Sequence, residues 1–318
     1  MSRSRQKFPS FTRRSFLQSV SGIALLPLLP FPLVFAVDDP QSAILTRPIP
    51  STGEAIPVIG MGTWLTFDVG DDREDRARCV RILREFFARG GGMIDSSPMY
   101  GSSQEVIGYC LDQIRDYPGL FSATKVWITG KTYGVLQMES SEKLWGIPRI
   151  DLMQIHNLMD WRTHLETLRE WKEEGRIRYI GITTSNGRRH RELERALEEE
   201  TFDFVQFTYN IVDREAERRL LPLAAERGVA VIINRPFRRG ELMDRAEKHP
   251  LPEWAAECDC ANWAQFLLKY IVSHPAVTCA IPATSQVVHM QENMGAAYGQ
   301  LPDPGMRERM QEYFVSVA

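Results

Sequence analysis

Four side chains have the types and spacing for proton donation: Asp95, Tyr100, Lys125 and His156. A free tyrosine titrates near ~10 and is a poor acid at neutral pH. An ammonium close to the phenol favours the phenolate and lowers that value. A carboxylate beside the ammonium keeps it charged and holds it in place. An imidazole in the same volume orients a carbonyl oxygen or joins the proton relay. Singly, a buried Lys–Asp pair or a satisfied core histidine is an ordinary structural feature; the joint placement is not. Apolar runs end at each group: Met93-Ile94 before Asp95, Phe121-Ser122-Ala123-Thr124 before Lys125, Leu152-Met153-Gln154-Ile155 before His156. Tyr100 follows Asp95 by five residues in a Ser/Pro/Gly-rich turn, and Ser102-Ser103-Gln104-Glu105 then reads as a capping box opening a helix.

The elements that must position these groups alternate along the chain. A hairpin-like pair, 44–49 and 55–59, comes first, joined through Pro50-Ser51-Thr52-Gly53-Glu54. Apolar runs at 59–63, 93–95, 121–126, 150–156, 177–182, 204–209, 229–234 and 278–281 read as strands. Stretches of helical periodicity separate or follow them at 75–89, 103–114, 135–144, 163–174, 189–199, 216–227, 262–273 and 286–298. Eight strand–helix units in about 240 residues fit an α/β fold, a (β/α)₈ TIM barrel with an N-terminal β-hairpin. A doubly wound sheet would need a Gly-rich fingerprint after its first strand. Gly60-Met61-Gly62 lacks the third glycine, and no helix starts there. In a barrel, neighbouring strands lie ~4.8 Å apart, so the four groups at successive carboxyl ends can share one small volume.

Length and 43% hydrophobic content allow a large core, and a net charge of −3 argues for neither nucleic acid nor a membrane surface. That balance hides a split. Residues 1–36 hold Arg3, Arg5, Lys7, Arg13 and Arg14 and no acid, leaving 33 basic against 41 acidic groups, a net of −8. Thr12-Arg13-Arg14-Ser15-Phe16-Leu17-Gln18 resembles a twin-arginine export signal. The apolar run from Val20 to Phe35 is broken by Pro27, Pro30 and Pro32 and falls short of the ~20 residues of a spanning helix. Val34-Phe35-Ala36 offers a cleavage site. A signal peptide at 1–36, cleaved after about Ala36, is therefore expected. It implies the twin-arginine machinery as a partner, a periplasmic or otherwise exported product, no stable membrane anchor, and a single barrel domain over 37–318. Five cysteines make no disulfide framework, and Cys258-Asp259-Cys260 lacks neighbouring ligands for a metal, so none is expected.

From Ile56 to about Tyr298 the sequence resembles the aldo-keto reductases. The likeness rests on Met93-Ile94-Asp95-Ser96-Ser97-Pro98-Met99-Tyr100-Gly101, Ala123-Thr124-Lys125, Asp151-Leu152-Met153-Gln154-Ile155-His156 and Ile281-Pro282-Ala283-Thr284-Ser285. It implies a barrel that binds an extended nicotinamide cofactor and transfers hydride to an aldehyde or ketone. Tyr100 then falls as general acid, Lys125 and Asp95 as its tuning pair, and His156 as carbonyl orienter. Implied cofactor positions are Thr63, Trp64 and Asp95, then Gln206 with Tyr209 as the stacking ring. Arg235 and Pro236 fall on the pyrophosphate loop, followed by Ile281, Ala283, Thr284, Ser285, Glu292 and Asn293. After the fifth strand the matching pair is Thr183-Thr184 or, with a shift, Ser185-Asn186.

Two departures bear on the cofactor. Ala283 stands where the family has Lys, and His289 where an Arg grips the 2′-phosphate. NADP(H) is expected to be favoured only modestly, with NAD(H) an alternative. Asn157 after His156 is also atypical. The competing reading is a nicotinamide-binding sensor or interaction subunit with little turnover; retention of all four catalytic residues favours the enzyme.

Overall fold

The computed structural model describes residues 43–317, and the leader expected at 1–36 lies outside them. A hairpin opens the described chain: β1 (Thr46–Pro48) pairs antiparallel with β2 (Ala55–Pro57). The alternation follows as β3 (Met61–Gly62), α1 (Arg73–Ala88), β4 (Met93–Asp95), α2 (Ser103–Ile114), β5 (Phe121–Val126), α3 (Lys131–Trp145) and β6 (Ile150–Ile155). It continues as α4 (Trp161–Glu173), β7 (Ile177–Thr183), α5 (His190–Glu199), β8 (Phe204–Thr208), α6 (Leu220–Arg227) and β9 (Ala230–Asn234). The chain ends through α7 (Glu241–Ala246), α8 (Trp263–Val272), β10 (Cys279–Ala280), α9 (Val287–Gly295) and α10 (Pro304–Val317). α7 and α10 are not among the elements expected from sequence.

β3 to β10 pair in parallel in chain order, and bridges from Ile59 to Ala280 and from Gly62 to Ala283 close the ring. This is the (β/α)₈ barrel with its N-terminal hairpin. The strands are buried on both faces, which is why β4, β5 and β8 read as nearly continuous apolar runs. One core fills the barrel interior with Met93, Phe121, Leu152, Tyr179, Phe204 and Ile232. A second, larger core lies between strands and helices. Among the described residues no helix is long and apolar enough to cross a membrane.

Local signals explain how the site-bearing turn is reached. α1 starts at Asp72, whose carboxylate accepts the Asp75 N–H at 2.9 Å, with Glu74 and Asp75 in the first turn where the helix dipole favours them. After α1 the Gly90-Gly91-Gly92 run lets the chain double back over Phe86; a Cβ on Gly91 would lie 2.3 Å from that ring. The capping box expected at α2 does not form. The Ser102 hydroxyl instead donates to Asp68 Oδ1 at 2.9 Å and accepts the Gly70 N–H at 2.8 Å. Asp68 also accepts the Ser102 N–H, so the β3–α1 loop pins the turn that carries Tyr100. Gly101 is required there, with φ +57° and Asp68 where a Cβ would be.

Candidate active site

The carboxyl ends of the strands open into a cavity of about 870 Å³. Asp95, the last residue of β4, is buried at its base. Its Oδ2 accepts the Lys125 ammonium at 2.6 Å, and its Oδ1 accepts the side-chain amides of Gln154 at 2.9 Å and Gln206 at 3.1 Å. Lys125 on β5 is wholly buried and also donates to the Ser96 carbonyl at 2.7 Å. Burial pulls its pKa below the usual lysine value, with the Asp95 charge and hydrogen bond opposing that shift. Thr63 Oγ1 lies 3.0 Å from both the Asp95 carbonyl and Ser96 Oγ, locking β3 to this floor.

Tyr100 stands half-buried at the cavity wall with the Lys125 ammonium 5.2 Å from its ring centroid. Its phenol is shifted upward, first by burial and then by the Asp95 charge. This corrects the expectation of a net lowering: burial outweighs the ammonium, which is bonded to Asp95 and a carbonyl and acts on the phenol only through space, without a hydrogen bond to its hydroxyl. His156 meets the Tyr100 ring edge-on, with centroids 5.8 Å apart. It opens a 3₁₀ turn instead of ending β6, and its Nδ1 is 2.8 Å from Ser97 Oγ. Burial first, then the Lys125 charge, holds its pKa well below the ordinary histidine value, so the imidazole is neutral at physiological pH. Asn157 and Leu158 follow with left-handed backbones (φ +54° and +56°), and Asn157 N–H is tied to Thr183 Oγ1 at 3.0 Å.

The cavity wall takes in most of the remaining expected positions: Thr63, Trp64, Thr183, Thr184, Gln206, Arg235, Pro236, Ile281, Ala283, Thr284, Ser285, Glu292 and Asn293. Thr184 Oγ1 is buried with no hydrogen-bond partner among the described residues. The Thr284 hydroxyl is engaged with Gln286 in the turn ahead of α9, accepting its N–H at 3.0 Å. Tyr209 is not brought to the cavity. It lies fully buried on the helix side, stacked on Tyr270; its hydroxyl donates to Glu217 at 2.5 Å and accepts from Arg307 at 2.7 Å.

Three contacts around the cavity were not foreseen from sequence, although Asn234 and Arg239 fall in the stretch expected to form the pyrophosphate loop. Gln154 sits within an apolar strand run and buttresses Asp95. Asn234 on β9 donates to the Thr184 carbonyl at 2.9 Å. Arg239 crosses to lie 4.1 Å over the Trp64 ring, a pairing made across 175 residues that no local pattern announces.

A closed parallel barrel with a buried Lys–Asp pair, a phenol and a neutral imidazole at its carboxyl mouth defines a class of barrel oxidoreductase sites. The model of the Aldo/keto reductase family matches residues 58–308, and the chain belongs to that family. An uncharacterized oxidoreductase of Schizosaccharomyces pombe is 26% identical over 262 residues, 78% of this chain and 81% of its own length. The NADH-specific methylglyoxal reductase of Escherichia coli is 25% identical over 239 residues, 64% and 71%. Among solved structures, the holo form of an aldo-keto reductase from Bacillus halodurans superposes with a TM-score of 0.71 at 23% identity, covering 85% of this chain and 96% of that one. An aldo-keto reductase from Klebsiella pneumoniae in complex with NADP and acetate gives 0.69 at 24%, covering 82% and 93%.

Proposed function

We propose that the chain reduces an aldehyde or ketone to the alcohol, with NADPH favoured modestly over NADH. The observation that carries this reading is the Lys125–Asp95 pair set behind a half-buried Tyr100, with a neutral His156 edge-on to the same ring. The family membership and the NADP bound to a structural neighbour support it. The cavity also fits the cofactor. Thr184 Oγ1 is an orphaned buried hydroxyl where a carboxamide would find a partner, and Arg235 makes no side-chain hydrogen bond to another described residue. Arg235, Thr284, Ser285, Glu292 and Asn293 line the rest of the wall.

When bound, the cofactor supplies hydride. The chain's own groups handle the oxygen. His156, with Nδ1 held at Ser97, leaves Nε2 toward the cavity to position the carbonyl oxygen. Tyr100 keeps its proton in the ground state because burial raises its pKa, and releases it as negative charge grows on that oxygen. The Lys125 ammonium stabilises the phenolate left behind, and Asp95, with Gln154 and Gln206, holds the ammonium. Turnover of a carbonyl panel with NADPH and with NADH tests this. Tight cofactor binding with no turnover on any aldehyde or ketone would favour the sensor reading.

The export reading is also a proposal, since residues 1–36 lie outside the described ones. Arg13-Arg14 followed by Ser15-Phe16-Leu17 and an interrupted apolar run supports twin-arginine export. Arg13→Lys with Arg14→Lys should hold the uncleaved precursor in the cytoplasm; a shortened, exported product from that variant would sink the reading.

A further inference from the structure

Cys258 and Cys260 lie outside the cavity, and carbonyl reduction makes no use of them. They bracket the end of a 3₁₀ turn, Glu253–Cys258, just ahead of α8. Asp259 between them has φ +50°, and that reversal brings the two sulfurs to 3.7 Å. Both side chains are nearly inaccessible, so a small reagent is favoured over a protein one. Among the described residues no third Cys, His, Asp or Glu joins them to make a metal site.

Lys269 of α8 is fully buried against this loop. Its ammonium donates to the carbonyls of Cys258 at 2.8 Å, Asp259 at 3.2 Å and Gln300 at 3.0 Å, none of them a carboxylate. Burial lowers the Lys269 pKa, and the charged form is favoured in return by Cys260, the Asp259 carboxylate and Cys258, so the two thiols lie in the field of a buried cation. Cys258 is drawn down, first by the hydrogen bond with Cys260, against burial and with help from the Lys269 charge. Cys260 is pushed up by the same bond and by burial. Two sulfurs 3.7 Å apart can share one proton, so that one serves as thiolate nucleophile and the other as thiol, the division of labour that thiol oxidation chemistry uses.

We propose that Cys258 and Cys260 are a redox-active dithiol that a small hydroperoxide oxidises to an intrachain disulfide. The Cys258 thiolate attacks one peroxide oxygen, an S–O bond forms, the O–O bond breaks, and the departing oxygen takes up the proton that Cys258 released on ionising. With hydrogen peroxide that product is water. Cys260 then attacks the sulfenic sulfur; the S–S bond forms, the S–O bond breaks, and hydroxide leaves as water with the Cys260 proton. The two sulfurs lose two electrons in all and the peroxide gains them. Closing 3.7 Å to the ~2.05 Å of a disulfide asks for a shift of about 1.7 Å.

Full-length protein, reduced, desalted and treated with one equivalent of hydrogen peroxide, is read by intact mass and peptide mapping. The expected product has lost the mass of two hydrogens, the loss maps to the peptide holding both cysteines, and dithiothreitol reverses it. Cys260→Ser should stall at a sulfenic acid on Cys258 that dimedone captures. Either no loss of mass under peroxide, or a disulfide that joins other cysteines or two chains, overturns the proposal. The mapping on unmodified sequence decides the matter even if the variant fails to fold.

Discussion

β5, β6 and β7 carry polar groups at both ends, and the two ends use them differently. At the amino end, Arg178 on β7 pairs with Asp151 on β6 at 2.9 Å and with Glu54 of the hairpin turn. Asp151 also accepts the Ser122 N–H and hydroxyl, and Tyr179 donates to Glu54 at 2.5 Å. Arg178 and Glu54 keep about a third of their side-chain surface in water. Every group there has partners. At the carboxyl end the ion pair has no exposure to speak of, and around it Gln154 Oε1 and Thr184 Oγ1 are buried with none among the described residues. The same strands therefore hold a fully partnered network that ties the hairpin down and, at the other mouth, one in which two buried polar atoms lack a partner among the described residues. Incomplete satisfaction, more than charge, marks the working end.

The largest effect separating the ends should come from Tyr100→Phe. Activity should fall roughly 10²–10⁴-fold, the usual range for a lost general acid. Cofactor affinity and thermal stability should barely move, because the hydroxyl makes no hydrogen bond to another described residue. A loss below about tenfold in kcat would mean another group donates the proton. Since His156 is neutral well below pH 6.5, kcat should show no histidine-like step between about pH 6 and 8.

Lys125→Met should combine both kinds of damage. It abolishes turnover and leaves Asp95 a buried carboxylate without its cation, at a cost of roughly 3–5 kcal/mol in urea unfolding. Pairing it with Asp95→Asn should restore more than half of that stability and none of the activity. Recovery of turnover in the double variant would remove the ion pair from the mechanism.

The cofactor preference is expected to be a smaller effect. With Ala283 and His289 in place of two cations, and the Thr284 hydroxyl engaged with Gln286, Ser285 is the freest hydroxyl near the 2′-phosphate position. NADPH should therefore bind about 5–150-fold more tightly than NADH, roughly 1–3 kcal/mol. Ala283→Lys should widen the gap by adding a charge-assisted bond. Fluorescence titration with both cofactors measures it; NADH binding as tightly as NADPH would show that these groups do not grip the phosphate.

Much of this was legible in sequence because buried parallel strands announce themselves. The bounds of β4, β5 and α2 match the expected residues one for one. Less visible was what a side chain does with its second bond. Ser102 reads as a cap, yet Asp68, 34 positions earlier, claims its hydroxyl. Tyr209 follows Gln206 by three residues, so on a pleated strand it points to the opposite face. That parity, applied strictly, places it among the helices, where Glu217 and Arg307 hold it. Arg307 belongs to α10, which sequence periodicity did not reveal, so that partner was out of view.

The smallest effect should come from the amino end, with Glu54→Gln. Glu54 is the acceptor that joins the hairpin turn to Tyr179 and Arg178, so its carboxylate would seem a keystone. Its partners are not stranded by the change, however. Gln keeps an oxygen for the Tyr179 hydroxyl, which also has Thr52 Oγ1 at 3.0 Å, and Arg178 retains Asp151. Water reaches the site, which screens the lost charge. The cost in urea unfolding should therefore be about 0.5–1 kcal/mol, the range of an exposed pair, with kcat/KM unchanged. A loss above about 3 kcal/mol would place this network with the buried pair at the other mouth. A loss of activity without loss of stability would mean that the barrel transmits the hairpin's state to the site, and the division between the two ends would fail.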